Sequence, residues 1–265
     1  MATSPFAGTR GSTQPPFIGA HIPYGDTITL EAAYSWVDWV MVDLEHGFAS
    51  MDVVRSVLLL SASSGFRVFV RVPQTGRPAL APLLDLGVDG IVLAHARSAP
   101  ALQALSEEVK YPPLGHRGIW MGSRASDYGQ RTRHDHVVNS NRRVDIVALI
   151  EDREGVANLE SLVDHEQVDA VLIGHNDMAL SYGFEADDEE RSVDELMHQI
   201  IKSALNARKP VSIGMSTNEA AQYEPFLAKW LAEGVEGFLL SPLAIAVHEG
   251  ARWRDAVDQV RGNNT

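Results

Sequence analysis

Four short stretches of the chain end apolar runs in residues able to do chemistry. "WVMVDLEHG" delivers Asp43, Glu45 and His46; "VFVRVP" delivers Arg71; "DIVALIED" delivers Glu151 and Asp152; "AVLIGHND" runs through Gly174 and Asn176 to Asp177. Glu151 and Asp177 together suit a hard divalent cation. Mg²⁺ or Mn²⁺ takes one or two carboxylates and fills its octahedron with waters and substrate oxygens. A 2-keto acid would chelate such an ion through its carboxylate and keto oxygens, and the ion would stabilise an enolate next to it. Arg71 directly follows a buried-type run, so it is either paired or binding an anion. His46 could move protons near neutral pH. Any one of these groups alone also fits a solvated loop residue or a helix cap. The argument rests on their converging.

Convergence depends on the elements that carry them. Eight short apolar runs recur along the chain, at 17–22, 38–43, 67–72, 90–95, 145–151, 169–174, 211–216 and 237–242. They are nearly continuous in Val, Ile and Leu rather than alternating, as strands covered on both faces are. Segments with helical spacing lie between them. One spans 49–65 and ends at Gly65. Another spans 192–210, opens on the capping-box pair Ser192 and Glu195, and stops before Pro210. A third, 216–237, contains Pro225 and is expected to be kinked or broken. Eight strand–helix alternations predict a (β/α)8 barrel, with a doubly wound open sheet as the alternative. In a barrel, the strand ends above meet at one mouth. The longest irregular stretch is expected at 110–144. Residues 1–16 are expected as a flexible N-terminal segment and 17–265 as one catalytic domain.

Composition narrows the function. The 265 residues include 45% hydrophobic residues, enough for a full core, and the formal net charge is −13. That charge disfavours nucleic acid and anionic membrane partners. There is no cysteine, which removes thiolate catalysis and Cys-type zinc sites. Neither a secretory signal nor a membrane span is expected, so a soluble cytoplasmic protein is. A Schiff-base aldolase needs a lysine at the mouth. The four lysines, Lys110, Lys202, Lys209 and Lys229, fall in helical segments, at a helix end or before a strand. Phosphate-loop and dinucleotide glycine signatures are absent.

From Phe17 to Ala246 the sequence resembles the HpcH/HpaI aldolases, metal-dependent class II pyruvate aldolases. "VMVDLEHG", "VFVRVP", "LLDLGVDGIVLAH", "KYPPLGHRG", "IEDREGVANLESLV", "VDAVLIGHNDMALSYG" and "GVEGFLLSP" carry the likeness in order. The resemblance implies Glu151 and Asp177 as metal ligands, with Mg²⁺, Mn²⁺ or Co²⁺ as the cofactor. It implies Arg71 on the pyruvyl carboxylate, His46 as the base, and Asp43 as its nearby acid. Asp85 would pair with the histidine across a subunit boundary. Gly174, Asn176 and Asp177 would contact the substrate carboxylate through the backbone. It further implies a homo-oligomer, commonly a hexamer, that exchanges its C-terminal helix near 243–262. The activity implied is reversible cleavage of a 4-hydroxy-2-keto acid to pyruvate, or an analogue such as hydroxypyruvate, and an aldehyde. Related enolate chemistry is the alternative: oxaloacetate decarboxylation, a macrophomate-synthase-like reaction, or a silent keto-acid-binding barrel. The chain departs from the family at Leu149, where Gln is usual, at His175-Asn176, and in "IWMGSRASDYG", which adds Trp120 and Arg124.

Overall fold

The computed structural model describes residues 4–6, 14–25, 27–33, 35–73, 77–183, 189–215 and 223–262. Eight strands close into one barrel: β1 (Phe17–Ile22), β2 (Trp39–Asp43), β3 (Arg67–Val72), β4 (Gly90–Leu93), β5 (Asp145–Ile150), β6 (Ala170–Ile173), β7 (Val211–Gly214) and β8 (Gly237–Leu240). Every neighbouring pair is parallel, including β1 with β8. All eight expected strands are present, most of them shortened by a residue or two at their ends. The 211–216 run keeps its strand to Gly214, and Ser216 lies outside the described residues.

Helices cover the outside: α1 (Thr27–Ala33), α2 (Met51–Ser64), α3 (Arg77–Leu86), α4 (Ala99–Val109), α5 (Arg133–Arg143), α6 (Arg153–Ala157), α7 (Leu159–Val163), α8 (His175–Tyr182), α9 (Glu189–Asn206), α10 (Tyr223–Ala232) and α11 (Pro242–Gly262). Two expectations change. The 110–144 stretch holds a 3-10 turn at Arg124–Ser126 and the whole of α5. That helix buries only His136, which meets the Tyr111 hydroxyl at 3.0 Å, so it has no apolar stripe to reveal it. Thr132 caps it by accepting from the Asp135 N–H. The expected capping box at Ser192 also fails, because α9 is already helical at Glu189 and carries Ser192 and Glu195 inside it. The expected break at Pro225 falls at the edge of the described residues, since 216–222 lie outside them.

The core has two layers. Val, Ile and Leu on the outer strand faces pack beneath the helices. Phe17, Trp39, Met41, Phe69, Val92, Val147, Leu149, Ala170, Leu172 and Leu239 fill the barrel interior. Space is made by glycine: a Cβ on Gly19 would sit 2.3 Å from the Trp39 ring, and one on Gly90 would sit 2.5 Å from Phe69. Phe6, from the expected N-terminal segment, is fully buried in the same interior layer, with its ring centroid 5.2 Å from that of Trp39. Alternation sets what comes next. Successive side chains on a strand point to opposite faces, so Trp39 and Met41 are followed inward by Asp43, Phe69 by Arg71, Val147 and Leu149 by Glu151, and Ala170 and Leu172 by Gly174. Among the described residues no helix is long and apolar enough to cross a membrane.

Candidate active site

β2 and β3 pair with Asp43 opposite Arg71, so register alone brings a carboxylate to a guanidinium. Asp43 is fully buried. Its Oδ1 accepts from Arg71 Nε at 2.8 Å and from the backbone N–H groups of Glu45 (2.9 Å) and His46 (3.2 Å). Its Oδ2 accepts from Arg71 Nη2 and lies 2.9 Å from His21 Nε2. Burial alone would raise the Asp43 carboxyl. The His21 and Arg71 hydrogen bonds overcome that and hold it well below the usual carboxylate range. Burial would likewise lower the Arg71 guanidinium, and Asp43, Glu151 and Glu45 raise it instead.

Around this pair the mouth is strongly acidic. Arg71 Nε is 3.5 Å from Glu45 Oε2, and Arg71 Nη1 is 4.0 Å from Glu151 Oε2. Glu151 is buried, with its Oε1 accepting from the His95 backbone N–H at 2.7 Å. Burial pushes its carboxyl up to about 7, against the His95 hydrogen bond and the charges of His95 and Arg71. His95 stands at φ 48, a left-handed conformation that costs a non-glycine residue roughly 1 kcal/mol or more. Its Nδ1 lies 3.1 Å from Asp152 Oδ2, and Arg97 Nε donates to the same oxygen at 2.6 Å. Asp152 also caps α6 by accepting from the Gly155 N–H at 2.8 Å.

These residues fit a divalent cation. Three carboxyl groups, Asp43, Glu45 and Glu151, face one guanidinium, so acidic groups outnumber the fixed cation. Ligand atoms of Glu45, His95 and Glu151 all lie within 4.8 Å of one another. Glu45 Oε2 is buried without a hydrogen-bond partner, a state that an ion would relieve. Gly174 leaves room for Glu151, since a Cβ there would stand 2.9 Å from Glu151 Oε2.

A cavity of about 150 Å³ opens at this end of the barrel. His21, Arg71, Leu149, Glu151, Gly174, Asn176 and Asp177 are among the residues lining it. Its size suits a small polar ligand rather than the roughly 300–1,000 Å³ of larger sites. The sequence-expected residues divide accordingly. Arg71, Glu151, Gly174, Asn176 and Asp177 share the cavity, with Asp43 directly behind it. Asp177 is half-buried in the first turn of α8. His46 sits just past β2 with an exposed side chain, outside the cavity lining. Asp85 lies near the C-terminal end of α3, toward the opposite end of the barrel, 3.6 Å from Arg117. Leu149 is buried among the interior side chains. None of the four lysines lines the cavity.

Two histidines that the sequence places at strand ends, His21 and His95, read there as bland or ambiguous beside the acidic ends. His21 closes the inward series Phe17, Gly19, His21 on β1, so strand parity was the signal that could have raised it. For His95 the strand end alone does not decide, because its role depends on the turn after β4.

Residues 25–241 match the HpcH/HpaI aldolase/citrate lyase family. The chain belongs to that family. Among its curated relatives is a 4-hydroxy-2-oxovalerate aldolase of Rhodococcus jostii, 28% identical over 88% of this chain and 89% of that protein. Another is a hydroxypyruvate/pyruvate aldolase of Delftia acidovorans, 26% identical over 98% and 96%. The HpcH/HpaI aldolase from Desulfitobacterium hafniense has the same fold, with a TM-score of 0.82 at 22% identity, covering 92% of this chain and 93% of that one.

Proposed function

We propose that the protein is a divalent-metal-dependent aldolase that reversibly cleaves a 4-hydroxy-2-keto acid to pyruvate, or an analogue such as hydroxypyruvate, and an aldehyde. The observation that carries this reading is a buried guanidinium, Arg71, 4.0 Å from the buried Glu151 and in one small cavity with it. A keto acid needs both features: a fixed cation for its anionic end and a hard-oxygen metal seat for its keto end. The aldolase names of the curated relatives support the same reaction class.

Glu151 and Asp177 would hold the metal, with Glu45 and His95 close beside Glu151. A bound divalent ion supplies Lewis-acid polarisation of the keto oxygen, and the choice among Mg²⁺, Mn²⁺ and Co²⁺ belongs to experiment. The chain's own groups do the rest. Arg71, locked by two hydrogen bonds to Asp43, orients the substrate anion and balances the enolate charge. The first-turn N–H groups of α8, at Asn176 and Asp177, favour the substrate carboxylate through the helix dipole. His46 takes the proton of the 4-hydroxyl as the carbon–carbon bond breaks. By the family resemblance Asp85 of a partner subunit would steady His46, in a homo-oligomer that exchanges α11. The exposed Leu243, Val247, Trp253 and Val260 of α11 support burial of that helix in an assembly.

The test is pyruvate in D₂O with the purified protein. Methyl-proton loss followed by NMR should require Mg²⁺, Mn²⁺ or Co²⁺ and stop with EDTA. Metal-independent exchange refutes the metal requirement, and no exchange with any of these ions refutes the enolate reading.

A further inference from the structure

Aldol cleavage requires two proton transfers at different atoms. The 4-hydroxyl loses a proton, and the enolate carbon left behind must gain one to become the methyl of pyruvate. His46 is exposed and outside the cavity lining, so the second transfer calls for a group inside it, where two imidazoles, His21 and His175, are found. His175 is buried on α8 against Phe226, with ring centroids 6.5 Å apart. His21 is in the cavity. It projects inward from β1, its side chain is 26% exposed, and it shares the lining with Arg71, Glu151 and Asp177.

His21 is also held as a catalytic imidazole is held. Its Nε2 lies 2.9 Å from Oδ2 of the fully buried Asp43. A carboxylate that already takes Arg71 and two backbone N–H groups is an acceptor only, so His21 donates Nε2–H and keeps its lone pair on Nδ1. An imidazolium formed there would face the Asp43 charge, the arrangement by which a buried carboxylate fixes the tautomer and stabilises the protonated ring. The other ionisable groups lining the cavity are Arg71, Glu151, His175 and Asp177, and its remaining walls include Met41, Leu149, Leu172 and Leu239.

Building on the aldolase reading, we propose that His21 carries the proton to and from the enolate carbon, using Asp43 as its partner. In the direction of enolate formation, a methyl C–H bond of pyruvate breaks and the proton passes to His21 Nδ1. The C–H electron pair becomes the enolate double bond while the carbonyl pair moves onto oxygen. In the cleavage direction His21 first takes a proton at Nδ1 from solvent, and after the aldehyde leaves that N–H bond breaks and the proton passes to the enolate carbon as the carbonyl re-forms.

The test uses the full-length metal-loaded protein and its His21→Gln and His21→Ala variants. His21→Gln should slow pyruvate methyl exchange in D₂O by roughly 10²–10⁴-fold, the range of a lost general acid–base group. Pyruvate affinity by calorimetry should stay within about threefold, and added imidazole should restore part of the exchange in His21→Ala. Exchange by His21→Gln within about threefold of wild type overturns the proposal and leaves the aldolase reading standing. Parallel loss of exchange and pyruvate affinity also overturns it, since that marks a structural residue. No exchange in the wild-type protein removes the aldolase reading and this proposal with it. The wild type gives an independent check that no variant's misfolding can spoil. Long-range ¹H–¹⁵N spectra should show His21 protonated on Nε2, and a proton on Nδ1 instead overturns the assignment.

Discussion

Gly174→Ala isolates the positioning of Glu151 from every backbone effect. Gly174 adopts φ −107, ψ 88, which alanine also accepts, so only space is at issue. The new Cβ would stand 2.8 Å from Glu151 Cβ, 2.9 Å from its Oε2 and 3.3 Å from Leu149 Cδ1. Ordinary contact begins near 3.4 Å, so Glu151 must retreat by about half an ångström. It cannot do so freely. The residue is 2% exposed, and its Oε1 is pinned by the His95 N–H at 2.7 Å. Overpacking of this kind costs about 1–3 kcal/mol, or about 2–12 °C in Tm at roughly 2–4 °C per kcal/mol for a chain this long. Displacing a ligand from its supporting contacts should weaken metal binding on the order of 10–100-fold. Free Mn²⁺ measured by electron paramagnetic resonance gives the affinity, and a thermal melt gives the stability. An alanine variant that binds Mn²⁺ within about threefold of wild type, with an unshifted melt, refutes both the close packing and the role of Glu151 as a ligand.

Three further outcomes follow from the same geometry. Glu151→Ala or Asp177→Ala should abolish metal dependence and activity together, and a variant that keeps full metal-dependent exchange removes that residue from the ligand set. Asp43→Asn breaks a buried ion pair and should cost about 3–5 kcal/mol in urea unfolding at pH 7. Because the folded-state Asp43 carboxyl is depressed, its contribution is present above the unfolded value near 4 and fades as pH falls further. The wild type should therefore lose stability on acidification more steeply than Asp43→Asn. Asp145 has the opposite sign. Burial, reinforced by Asp169, pushes it up to about 6 despite Arg67 at 2.7 Å. Its contribution is full below about pH 4 and is lost as pH rises through about 6, at most about 3 kcal/mol. Asp145→Asn should flatten the stability profile between about pH 4 and 7, and an unchanged profile refutes the assignment.

Much of the barrel was legible because strands covered on both faces must be apolar throughout, and eight such runs stand out from any background. α5 was not, since it is held by a Thr132 cap and one buried histidine rather than by an apolar stripe. The expected capping box at Ser192 failed for a related reason: a Ser and a Glu three apart fit a helix interior as well as a cap, and their spacing does not fix where the helix starts. Within the site, Asp43, Arg71 and Glu151 were legible as polar residues closing buried runs.

The same alternation that builds the core also explains what was missed. A barrel interior is stacked in layers, so the residue two places beyond the last inward apolar side chain reaches the mouth. Applied to β2, β3 and β5 this returns Asp43, Arg71 and Glu151, all polar where the layers below are apolar. Applied to β1 it returns His21, whose inward series is interrupted by Gly19, the residue that yields its space to Trp39. The glycine hides the periodicity, and Trp39 is the reason for the glycine. Glu45 and His95 escape the rule because they lie two residues past the ends of β2 and β4, where direction is set by a turn, whereas Glu151 directly follows β5. For His95 that turn is held at φ 48 by the N–H it gives to Glu151. Strand parity therefore fixes the Asp43–Arg71 pair, whose guanidinium is proposed to orient the substrate anion, while strained loop backbone completes the acidic cluster beside it. The two parts should fail differently: inward strand variants such as Asp43→Asn in stability and substrate grip together, loop variants such as Glu45→Gln in metal affinity with the barrel intact.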